Sequence, residues 1–168
     1  MRRFCVAGAL WCLAGAAIAE ETLAPPAGAK QLLEVGADGV QVYVCSLVEQ
    51  RDKAQIFVWV FDEPEATLFD AEGRQIGTHS KGPTWTLADE SEITGEVVAK
   101  KPSPQPRTIP WLLLKAKSHQ GAGPFAAATF IRRVETKGGA EPVGGCDADH
   151  KGDVARMRYS ATYQFFGL

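Results

Sequence analysis

Between Met157 and Phe166 the chain alternates without a break. Met157, Tyr159, Ala161, Tyr163 and Phe165 fall on one side, and Arg158, Ser160, Thr162, Gln164 and Phe166 on the other. A period of two marks an extended strand with one face in a core, here the odd-numbered face. Shorter segments carry the same signal. Leu32 to Leu47 is β-like, read as two pieces around a turn region at Gly36–Gly39. In it Val40, Val42 and Val44 alternate with Gln41, Tyr43 and Cys45, giving one aliphatic face. Ile56 to Phe61 is apolar at every position, which predicts a central strand covered on both faces. Ala66–Asp70 and Arg74–Thr78 predict a hairpin, with Gly73 where a three-residue connection needs a positive φ. A turn at Lys81-Gly82-Pro83 leads to Thr84–Leu87, and Ile93–Ala99, Trp111–Lys117 and Thr129–Val134 are further strands. No long segment carries a capped helical period. The expected fold is all-β: a single-domain, mainly antiparallel β-sandwich, with barrel-like closure as its variant and long Gly/Pro-rich loops. Those loops are the run from Lys100 to Pro110, with four prolines, and Gly138 to Gly152, rich in Gly and Asp.

Residues 1–19 read as a signal peptide. Arg2 and Arg3 precede an uncharged apolar run, and Ala17-Ile18-Ala19 is a small-residue cleavage site before Glu20 and Glu21. The run is short for a membrane span, so a retained anchor is the weaker alternative. Residues 20–30, with Pro25-Pro26, read as an extended lead-in, and 31–168 as the domain. The chain is expected to be secreted or periplasmic, with no membrane association after cleavage.

The full chain carries a net charge of -2, and removing Arg2 and Arg3 leaves 16 basic against 20 acidic residues. No basic patch stands out, so no nucleic-acid partner is expected. Cys5 and Cys12 leave with the leader. Cys45 and Cys146 remain, an even pair in an oxidising compartment, which points to one disulfide; two unpaired buried thiols are the alternative. The chain contains no Asn, which excludes N-glycosylation.

The local motifs are weak. Gly121-Ala122-Gly123-Pro124-Phe125-Ala126 fits a loose dinucleotide fingerprint, but strand and loop follow it where a helix is required. Asp147-Ala148-Asp149 imitates a calcium loop, yet Lys151 and Arg158 stand where oxygen ligands belong. His79, His119 and His150 form no metal-ligand spacing, and no nucleophile elbow or P-loop is present. No metal and no cofactor are expected.

Gly73 to Gly95 is the one stretch that gathers an imidazole, an indole and a carboxylate: His79, Trp85 and Asp89, with a Gly82-Pro83 turn between the first two. One reading is a shallow pocket in which Trp85 and Trp111 form an aromatic wall and His79 and Asp89 supply polar groups, a mix suited to a small polar molecule with an apolar face. The other is structural: both tryptophans plug the core, and His79 bonds a backbone carbonyl.

These residues also resemble a known signature. Gly77, His79, Gly82, Pro83, Trp85 and Asp89 are similar to that of a secreted bacterial and fungal family catalogued as domain of unknown function 3455. Ile109-Pro110-Trp111 to Leu114, Thr136 to Gly139 ahead of Gly145-Cys146, and Gly39, Gln41, Tyr43 and Cys45 look like it too. Asp89-Glu90-Ser91 departs from the family's Asp-Gly-Ser, so the turn there must be made differently. Some fungal relatives carry a malate dehydrogenase label, which the sequence does not support, because it lacks two nucleotide-binding halves. The resemblance implies no established activity.

The expected role is non-catalytic ligand binding or structural, with a small molecule as partner. The alternative is a small metal-dependent or hydrolytic enzyme using His79 and Asp89.

Overall fold

The computed structural model describes residues 23–168, so the expected signal peptide lies outside the described residues. Eight strands follow in order: β1 (Lys30–Glu49), β2 (Gln55–Phe69), β3 (Gln75–Ser80), β4 (Thr84–Leu87), β5 (Glu92–Lys101), β6 (Trp111–Gln120), β7 (Phe130–Gly138) and β8 (Val154–Gly167). The helical content among the described residues is one short 3-10 turn, Pro124–Ala127. Each strand pairs antiparallel with the next, and β8 returns to pair with β1, so a single sheet closes into a ring. The all-β, antiparallel expectation holds, and the closure is barrel-like. Eight strands leave an interior just wide enough for side chains to fill. Here Val35, Leu68, Trp85, Ile131, Tyr163 and Phe165 occupy it.

The alternation in β8 sets its orientation. Tyr159, Ala161, Tyr163 and Phe165 are buried, while Ser160, Thr162 and Gln164 are half-buried; the pattern departs at its ends, where Met157 is only half-buried and Phe166, from the other face, is buried. The expected turns form where glycine permits: Gly73 (φ 76°) closes the β2–β3 connection and Gly82 (φ 88°) the β3–β4 connection.

Two sequence expectations change. β1 runs unbroken through Gly36–Gly39, with no turn there. Gly39 serves close approach: a Cβ on it would lie 2.1 Å from the Glu65 carbonyl oxygen across the β1–β2 pair. Near it Gln41, Tyr43 and Cys45 are buried, and of the aliphatic set Val42 is buried while Val40 and Val44 are half-buried, so the aliphatic face alone does not mark the core side.

The second change concerns Ile56–Phe61, which is not a central strand. β2 pairs with β1 over Gln55–Phe69, but with β3 only over Ala66–Phe69. The β1–β8 ladder ends at Val44. Beyond the barrel, therefore, β1 and β2 continue as a two-stranded ribbon. A bulge at Asp62, between the pairs Val42–Glu63 and Tyr43–Phe61, marks where the ribbon departs. Cys45 is bonded to Cys146, which fastens the Gly-rich loop between β7 and β8 to the base of this ribbon. Backbone bonds from Cys45 to Asp153 and from Gly152 to Cys45 hold the same loop, and the Trp59 indole donates to the Gly144 carbonyl at 2.8 Å.

Candidate functional site

His79 and Trp85 are directly opposite each other on β3 and β4. Their rings stack, with centroids 4.4 Å apart and planes 8° from parallel, and Tyr163 meets both edge-on at 5.0 and 5.3 Å. Both residues are buried in the barrel, His79 at 3% exposure and Trp85 at 1%. His79 Nδ1 lies 2.8 Å from the Thr84 carbonyl oxygen. A carbonyl can only accept, so Nδ1 carries the proton and donates. Burial pushes the His79 pKa down to about 3; the Thr84 carbonyl opposes that shift and the Arg133 charge adds to it. The ring is neutral and sealed at physiological pH.

Asp89 is exposed, in the turn after β4. Its Oδ1 accepts from the Ser91 hydroxyl (2.6 Å) and the Ser91 backbone N–H (2.9 Å), and these bonds lower its pKa. Glu90, where a Gly was expected, takes up a positive φ of 65° in this turn. The stretch thus brings His79 and Trp85 together and spends the Asp89 carboxylate on its own turn. Among the described residues, no group of three or more His, Cys, Asp or Glu is placed to hold a metal ion.

The barrel interior is polar as well as aromatic. The Tyr159 and Tyr163 hydroxyls, the Gln41 amide nitrogen and the Trp85 indole N–H are buried with no hydrogen-bond partner among the described residues. Tyr163 and Gln41 sit near enough to Tyr159 to influence its ionisation, yet neither meets hydrogen-bond geometry with it. Arg133, also buried, donates from Nε and Nη2 to the Pro110 carbonyl at 3.1 and 3.0 Å, which ties the proline-rich loop to β7.

Trp111 stands apart from this cluster and lines a groove of about 640 Å³. Small residues of two paired strands contribute to it, Gly36 and Ala37 from β1 and Ser160, Ala161 and Thr162 from β8. Phe69 of β2 and Trp111 of β6 come from the outermost of the five consecutive strands that line it. Asp38, Gln105, Glu135 and Lys137 supply polar groups. Trp111 is half-buried, and its indole N–H has no partner among the described residues.

The groove depends on a bulge in β7. Pairing with β8 slips between Val134 and Lys137, and Glu135 takes a positive φ of 51°, a costly conformation for a residue with a side chain. Thr136, buried at the bulge, donates to the Ile109 carbonyl at 2.8 Å. Glu135 and Lys137 both line the groove as a result, and Glu135 accepts from the Thr162 hydroxyl at 2.8 Å. Sequence reasoning missed Asp38, Gln105, Glu135 and Lys137. The only available signal was the lost alternation after Val134.

Among known families, the one described as "Protein of unknown function (DUF3455)" matches residues 26–167. No curated protein matches the chain.

Proposed function

The chain belongs to this DUF3455 family, and from that footing we propose that it is an exported, non-catalytic binding protein. Its ligand is a small polyhydroxylated molecule such as a mono- or disaccharide, held in the groove beside Trp111. The observation that carries the reading is the composition of the groove: two aromatic residues on its outer strands, small residues between them, and carboxylate, amide, ammonium and hydroxyl groups around. Sugar rings present an apolar C–H face and a rim of hydroxyls, which such a mixture suits. The costly backbone at Glu135 supports the same reading, because strain of that kind is retained where it aims a functional side chain.

The enzyme alternative lacks such support. A general base must reach substrate with a pKa near the working pH, whereas His79 is sealed with a pKa of about 3. Export rests on the leader sequence and on the Cys45–Cys146 bridge, a bond that persists in oxidising compartments.

A thermal-shift screen of neutral and acidic saccharides tests the proposal. A binder should raise the melting temperature of the wild type. Trp111→Ala should weaken its affinity by about tenfold or more, the worth of one aromatic contact. Asp38→Asn and Lys137→Ala should weaken it with no loss of stability. Binding untouched by all three changes would refute the groove.

A further inference from the structure

Gly36 lies within β1, is exposed, and lines the groove beside Trp111. A glycine inside a strand weakens it, because it brings no side chain to pack and has more backbone freedom to lose. The other strand glycines among the described residues each have a structural reason. At Gly39, Gly77, Gly95 and Gly167 a Cβ would lie between 2.1 and 3.3 Å from a neighbouring atom, and Gly138 holds a positive φ of 65°. Gly36 has neither reason: its φ is not positive, and a Cβ on it would meet nothing within 4 Å. Where neither the backbone nor the neighbours require it, a strand glycine marks a place that something else approaches closely.

The strand pairing fixes what borders that open place. In the row across the sheet, Gly36 has Phe69 of β2 on one side and Thr162 of β8 on the other. Phe69 is half-buried and has no atom within 4 Å of the position a Cβ would take, so its ring leaves the glycine uncovered. Glu135 accepts from the Thr162 hydroxyl at 2.8 Å, which sets a carboxylate on that side. Asp38 follows two residues along the same face of β1, in a row with Ser160 and Lys137. Ser160 stands between Asp38 and Lys137, and neither of these charges, nor Glu135, has an ion-pair partner among the described residues. The groove therefore holds one carboxylate in excess, and both of its carboxylates border Gly36.

We propose that Gly36 is the seat of an amino sugar, whose ring lies on the bare strand against Phe69 and whose ammonium group meets Glu135 and Asp38. This rests on the groove reading above and narrows it from saccharides in general to cationic ones. Phe69 supplies an apolar contact for the C–H face of the ring. An ammonium group brings three donors, and its bonds to carboxylates are about twice as strong as those between neutral groups. A side chain at position 36 would fill the space the ring takes. Trp111 is three strands away around the barrel, so it touches a different part of the same ligand.

Calorimetric titration with chitobiose, the disaccharide of glucosamine, tests this against two neutral counterparts, cellobiose and N-acetylated chitobiose. The wild type should bind chitobiose about tenfold more tightly than either. The double variant Asp38→Asn, Glu135→Gln should erase that preference. Gly36→Val separates a seat from a structural glycine. Valine opposite Phe69 is a favourable cross-strand pair, so the melting temperature should hold or rise while chitobiose binding is lost. Gly36→Ala, a smaller change, should weaken binding by about tenfold with the fold equally intact. A clear fall in melting temperature for both Gly36 variants would make the glycine structural and overturn the proposal. So would chitobiose binding that both variants leave unchanged, or equal affinity for the three disaccharides. If Trp111→Ala weakens binding and Gly36→Val does not, the groove stands and the seat at Gly36 falls. If none of the three binds, and no other saccharide does, both fall together.

Discussion

Protonating His79 inside the barrel would leave a cation against Trp85 and Tyr163 with Arg133 nearby. The folded-state pKa of about 3 lies below the ordinary histidine value of 6.5. The unfolded chain therefore takes up a proton first as the pH falls. The stability that neutral His79 provides is complete above pH 6.5 and is lost as the pH falls toward 3. Against His79→Gln, which cannot titrate, the wild type should lose up to about 1.4 kcal/mol per pH unit in that window. Urea unfolding at pH 7, 5.5 and 4 measures the difference, and a flat one would contradict the buried placement. His79→Ala should cost about 1–3 kcal/mol, because it orphans the Thr84 carbonyl. Tyr163→Phe is the opposite case. It removes a hydroxyl with no partner among the described residues, so the melting temperature should hold or rise. A loss above about 1 kcal/mol would show that the hydroxyl is satisfied in solution. At this scale the sequence was half legible. The pairing of His79 with Trp85 follows from the turn between them, but their inward direction depends on strands far away in the chain.

At the scale of elements, the Cys45–Cys146 bond joins positions 101 residues apart. In the chain-entropy model a loop of that length contributes about 4–5 kcal/mol. Cys146→Ala should therefore cost about 2–5 kcal/mol by denaturant unfolding. The damage should be greatest at the ribbon base, where Cys45 also bonds to Gly152 and Asp153. Hydrogen exchange near Tyr43–Cys45 should locate it; uniform loss of protection would contradict that reading. The hairpin turns were legible because Gly73 and Gly82 act locally. The unbroken β1 was not, because two glycines three residues apart mark a turn and a close strand approach equally well. Ile56–Phe61 misled for a related reason. An apolar run does not reveal whether a barrel wall, a loop or another molecule covers it. The β7 bulge left only a lapse in alternation, which is why Glu135 and Lys137, unlike Trp111, were not among the residues the sequence singled out.

At the scale of the molecule, the proposed export predicts that residues 1–19 are removed. Intact-mass measurement of the exported protein should place its N-terminus at Glu20, and a retained leader would contradict this. Closure of the sheet separates the sealed His79–Trp85 interior from the groove at Trp111. The central claim is that small molecules are recognised in that groove and that the interior serves the fold. Amide chemical-shift mapping during titration with the saccharide panel tests it most directly. The expected result is saturable shifts confined to Gly36–Asp38, Glu135–Lys137, Ser160–Thr162 and the Trp111 indole. Shifts centred instead on His79, Thr84 and Trp85, or none at any concentration of any saccharide, would contradict the account.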